Sequence, residues 1–102
     1  MATERQVQEA VARCVATMVL YHNEKRTRHT TIMMTAEVRA TAAGVSELDL
    51  GHDQADKRVI RPVEGELVAR YGPDTGRKLY NDFVKAFNGS PEADPILTPF
   101  KV

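Results

Sequence analysis

His52 stands beside Asp53, with Glu47 five residues before it and Asp56 four residues after. Histidine and carboxylate one helical turn apart can share a proton or hold a cation between them. Two ligands do not make a metal site, and the sequence places no third ligand nearby. Cys14 is the only cysteine, so an internal disulfide and the multi-cysteine zinc patterns are excluded. It is a nucleophile by type alone. Val7, Val11, Met18 and Tyr21 recur around it at steps of three and four, so the thiol reads as a small buried hydrophobe with a raised pKa. The stretch GPDTGRK, residues 72–78, precedes a helical pattern, and amides at such a place can meet a phosphate. Yet Gly76 is followed by Arg77 rather than by lysine and a hydroxyl residue, which departs from the phosphate-loop spacing. A capped turn between two helices accounts for every residue there. His22 and His29 border a basic connector, EKRTRH, and are expected on the surface. These groups do not converge, and the chain is expected to be non-enzymatic, with no metal and no cofactor.

The elements that would hold these residues are mostly helical. Thr3 and Gln6 form a capping-box pattern ahead of a helix over 3–24. Glu9 and Arg13 lie one turn apart, in the favourable order for an ion pair. Residues 31–41 fit two patterns. As a strand they alternate Ile32, Met34, Ala36, Val38 and Ala40 against polar neighbours. As a helix they put Ile32, Ala36, Ala40 and Ala43 on one face, and four alanines favour the helix. Gly44 then sits where a helix ends, and Ser46 reads as the N-cap of a third helix over about 47–58, weakened inside by Gly51. Pro62 suits the start of a fourth, with Val63, Leu67, Val68 and Tyr71 apolar. Asp74 or Thr75 can cap a fifth, in which Leu79, Phe83 and Phe87 recur at steps of four beside Tyr80 and Val84. That spacing makes the aromatic residues core, or an interface, rather than a stacking platform for single-stranded nucleic acid. Residues 90–102 hold three of the five prolines together with Ile96, Leu97, Phe100 and Val102, which predicts an extended arm on an apolar groove of this chain or a partner.

The bend at 42–50, AAGVSELDL, resembles a helix-turn-helix in having Ala40 four residues before Gly44, Val45 in the turn and Leu50 at a core position of the second helix. Arg39 and Asp53 depart from that pattern, since both stand where an aliphatic residue is usual. The resemblance implies DNA reading through helices near 35–43 and 46–58, with Arg39, Lys57, Arg58 and Arg61 on phosphates. Charge opposes it. Glu47, Asp49, Asp53 and Asp56 crowd the helix that would enter the groove, against the electrostatic term that dominates duplex affinity. Fourteen basic and fourteen acidic residues cancel, so no global field steers the chain onto nucleic acid.

The sequence of 102 residues therefore predicts one all-α domain over 1–89, a bundle of about five helices with an extended C-terminal arm over 90–102; the alternative is α+β with a strand near 30–41. The expected function is that of a small cytoplasmic regulatory or adaptor module acting through a protein partner. Glu47, Asp49, Asp53 and Asp56 would serve as an acidic docking face, and a homodimer is expected because the first helix carries more apolar stripe than a monomer needs. Nucleic acid is the alternative partner, and a membrane is not expected. The lone cysteine and the charged start suggest a reducing compartment and no secretory signal.

Overall fold

A computed structural model describes residues 2–24 and 28–88, which hold four long helical stretches and no strand. The connector 25–27 and the C-terminal arm lie outside the described residues. Helix α1 (Glu4–Asn23) starts as the capping box requires: the Thr3 hydroxyl accepts from the Gln6 amide at 3.2 Å, and the Thr3 amide donates to the Gln6 side chain at 2.9 Å. Two of the helix's orphan amide groups are satisfied in this way. Its inner face is Val7, Cys14, Val15 and Met18, all buried, with Val11 and Tyr21 at the margin. Glu9 pairs with Arg5 at 3.2 Å rather than with Arg13, whose guanidinium approaches Glu37 of the next helix at 4.0 Å.

Helix α2 (Arg28–Glu47) resolves the ambiguity over 31–41 in favour of helix. The face it buries differs from the expected one. Met34, Val38, Thr41 and Val45 point inward at steps of four, three and four, whereas Ala36 and Ala40 are exposed. The helix does not stop at Gly44 either. Val45 is almost fully buried, a gain of roughly 1.5–3 kcal/mol, and keeping it there requires helical backbone through the glycine, which costs about 1 kcal/mol relative to alanine. Burial wins, so Ser46 lies inside the helix and is not a cap. Termination falls to Asp49, which takes φ of 55°, a conformation that aspartate tolerates better than most side chains. Amides of Leu48 and Asp49 close the last turn on the carbonyls of Val45 and Ser46. Gly51 lies in this connection rather than in a helix interior, and its carbonyl accepts from the Ala55 amide to open the next element.

That next element is one continuous rod made of α3 (His52–Ala55), a π-helical turn (Asp56–Ile60) and α4 (Arg61–Tyr71). Proline inside an α-helix removes a hydrogen bond and clashes with the carbonyl four residues back. Here the Arg61 amide reaches back five residues to the Asp56 carbonyl, and Pro62 falls at the first positions of α4, where its missing N–H is no loss. The rod passes the proline without breaking. Gly72 alone separates it from α5 (Pro73–Asn88), with φ of 86° and its amide on the Val68 carbonyl. So short a connection makes α4 and α5 an antiparallel pair. Leu79, Tyr80, Phe83, Val84 and Phe87 of α5 are buried in one cluster with Val59, Ile60, Val63 and Leu67 of the rod. The buried hydroxyls of Thr17 and Thr41 donate to the carbonyls four residues back, at 3.0 and 2.9 Å, so neither leaves an unmet donor.

Candidate functional site

The four carboxylates do not share one helix face. Glu47 is the last residue of α2, Asp49 is the left-handed residue of the turn, Asp53 is exposed on α3 and Asp56 opens the π turn. Asp56 is half-buried and accepts from the Arg61 guanidinium at 2.8 Å. Burial of Tyr80 pushes its phenol pKa up, and the nearby charges of Glu64 and Asp56 add to that push. The basic residues are distributed as well. Arg58 donates to Glu4 of α1 at 2.9 Å, Arg61 is held by Asp56, Lys57 is exposed and Arg39 belongs to the backbone of α2. The separate pair of helices near 35–43 and 46–58, which DNA reading required, is replaced by an unbroken α2 and a chain reversal at 48–51.

Cys14 has no exposed surface. Burial pushes its thiol up to about 12, only partly offset by the Arg13 charge. A thiol in an unfolded chain ionises near 8.5. The unfolded chain therefore loses a proton that the folded one retains between those two values. The thiol's contribution to stability is complete below about pH 8.5 and declines as pH rises toward 12. At pH 8, a maleimide or iodoacetamide reagent is expected to label Cys14 only as fast as the fold opens, with rapid labelling in urea; fast labelling of the folded chain would place the thiol at the surface.

His22 is not on the surface as expected. Its ring lies 4.4 Å from that of Tyr71, tilted by 51°, and its Nδ1 is enclosed with no hydrogen-bond partner among the described residues. The GPDTGRK stretch also departs from a phosphate cradle. Gly72 is its whole connection, Asp74 and Thr75 lie inside α5, and the Gly76 amide is committed to the Gly72 carbonyl. Among the described residues, no three histidine, cysteine or acidic side chains are grouped to hold a metal ion. No helix of the described residues is long and apolar enough to cross a membrane.

A wide concavity lies elsewhere. A groove of about 810 Å³ runs between α1 and α4. The Arg58–Glu4 pair ties the two helix starts together and the His22–Tyr71 contact ties their ends, so the helices run parallel. Val7, Val11, Val15 and Val19 form the floor, while Ala12, Ala16 and Leu20 line the outer side of α1. Leu20 is 62% exposed, an unusual state for a leucine beside other aliphatic residues. Pro62, Glu66 and Arg70, at steps of four on α4, supply the opposite wall and, with Arg58 and Glu4, a rim of both charges. From Val7 to Leu20 the groove extends about 20 Å at 1.5 Å per residue. The sequence reading did not single out Ala12, Ala16 or Leu20. The signal was present: α1 has apolar residues around more of its circumference than one packed face uses. The chain matches no protein-family model, no curated protein and no solved structure.

Proposed function

We propose that this domain is a small, non-enzymatic regulatory or adaptor module that binds another polypeptide in the groove between α1 and α4. The exposed Leu20, set among Ala12, Ala16 and Val19 at the end of an apolar floor, carries this reading. A groove about 20 Å long accommodates an extended segment of six or seven residues or about four turns of helix. A rim with both signs of charge favours a partner of mixed charge over a nucleic acid, whose phosphates would meet Glu4 and Glu66. The acidic residues give weaker support to docking on a basic surface, because Asp56 is already engaged with Arg61 and the others lie on three different segments. The lone cysteine makes the cytoplasm the expected place of work.

The test is capture of partners from the native host with the intact chain and with Leu20→Lys. The substitution lies on the surface of the last turns of α1, so stability should stay within about 0.5 kcal/mol. Capture should fall about tenfold or more, as for the loss of an interface anchor. Nuclease treatment should leave capture unchanged. Capture abolished by nuclease, or equal for both chains, would refute the groove as a protein-binding surface. If the captured partner is a second copy, the homodimer expected from the sequence is recovered at this same face.

A further inference from the structure

We propose that the α1–α4 groove receives an amphipathic α-helix of another polypeptide, running antiparallel to both walls. That helix carries an acidic residue in its first turn and a basic residue one turn later. This rests on the groove being the docking surface proposed above. The first argument is the nature of the walls. Both are α-helices, whose amides and carbonyls are used along their own length, and the described residues contain no strand. An extended segment laid there would bury N–H and C=O groups with no backbone edge to pair with, whereas a helix satisfies its own. The trough between two parallel helices is also the seat that helix packing offers a third rod. Ala12 and Ala16, one turn apart on the α1 side, leave room for its close approach.

The second argument is charge. Glu66 and Arg70 stand exposed one turn apart on the α4 wall. Neither holds an ion pair among the described residues, whereas Arg58 and Glu4 at the other end hold each other at 2.9 Å. Arg70 directly precedes Tyr71, which meets His22, so Arg70 belongs to the Leu20 end of the groove. Glu66 lies about 6 Å nearer the middle, at 1.5 Å per residue. A complementary partner therefore places an acid at the end and a base one turn inward. The third argument is polarity. A helix entering antiparallel from the Leu20 end meets Arg70 with its first turn and Glu66 with its second. Its acid then precedes its base by four residues, the order in which such a pair supports a helix, and the acid sits at the positive end of the dipole. Its N-terminus lies beside the last turn of α1, where the partial charge is opposite. The parallel orientation reverses each of these. Aliphatic residues at i, i+4, i+7 and i+11 complete the partner, facing the valine floor.

Two designed peptides of about 16 residues, roughly the four turns that the groove accepts, test this with the full chain. Both carry leucine at i, i+4, i+7 and i+11 in an alanine-rich background. One has glutamate four residues before lysine, and the other has the two exchanged. By fluorescence anisotropy at low ionic strength, the chain should prefer the first by about three- to tenfold. A chain carrying Glu66→Lys and Arg70→Glu together should prefer the second. The exchange on the protein is needed because the exchange on the peptide also alters the peptide's own helicity. The same preference in both chains, a preference of the opposite sign, or no binding of either peptide would overturn the proposal. Equal binding of a version with proline at its centre would overturn it too, in favour of an extended occupant. A dimer in sedimentation that Leu20→Lys dissociates would assign the groove to a second copy, with the same consequence. The two readings separate cleanly. If Leu20→Lys abolishes binding of both peptides but neither is preferred, the docking groove stands and this partner falls. If Leu20→Lys changes nothing, the groove reading itself falls.

Discussion

Replacing Gly76 with alanine is expected to destabilise the domain by about 2 kcal/mol or more, although the same change in most helices is favourable. A Cβ at position 76 would lie 2.5 Å from the Val68 Cα, 2.6 Å from the Val68 amide nitrogen and 2.8 Å from the Leu67 carbonyl carbon. All three are backbone atoms, so no rotamer change relieves the clash and α5 must move away from α4. Overpacking of this kind costs about 1–3 kcal/mol and occasionally more, and each ångström of separation also opens the layer of Leu67, Leu79 and Phe83 beneath. The gain in helix propensity, about 1 kcal/mol, offsets only part of this. Gly65 provides the control. It lies exposed in α4 with open space around the added carbon, so Gly65→Ala should stabilise by up to about 1 kcal/mol. Urea unfolding followed by circular dichroism reads both. Opposite signs support the close approach of α4 and α5, and two stabilising alanines would show that the helices are not in contact at Gly76.

That contact also marks the limit of what the residues disclosed in order. GPDTG was legible as a break between helices, but not as a capped turn: Gly72 alone makes the connection, and Asp74 and Thr75, expected as caps, lie inside α5. Nothing in the string says that Gly76 faces backbone, since a glycine inside a helix looks the same whether it is crowded like Gly76 or open like Gly65. The start of α1 was legible because Thr3 and Gln6 interact only with each other's local backbone. The core face of α5 was legible because large aromatic residues at steps of four have one plausible destination. Helix α2 was harder. Alanines identified its conformation correctly but its buried face wrongly, because Ala36 and Ala40 are favoured for propensity and Val38 and Val45 for burial. Gly44 misled for the same reason: its local cost is smaller than the tertiary gain at its neighbour. The basic and acidic residues were assigned to faces by sequence order, whereas the fold pairs Arg58 with Glu4 from the far end of the domain. The groove needed the fold as well, because its two walls come from α1 and α4, which lie far apart in the sequence.

Phe83→Ala is expected to have the largest effect of any single truncation in the chain. Phe83 has no exposed surface, and its ring is 5.8 Å from that of Phe87, tilted by 48°, in the range where aromatic pairs gain about 0.5–1.5 kcal/mol beyond burial alone. Removing a buried phenylalanine costs about 3–5 kcal/mol, the lost transfer energy plus the cavity left behind. The bundle cannot readily close that cavity: α5 is fixed to α4 at Gly76, and Phe87 and Leu79 above and below are already fully buried. Small domains have about 5–15 kcal/mol in total, so the variant should be largely unfolded at physiological temperature or retain helix without a cooperative transition. Phe83→Leu keeps most of the volume and should cost less than about 1.5 kcal/mol, with the unfolding slope unchanged. A loss below 1 kcal/mol for the alanine variant would mean that the α5 aromatic residues serve an interface instead of the core. In that event Phe83 and Phe87, rather than Leu20, would be the anchors to which a partner should be sought.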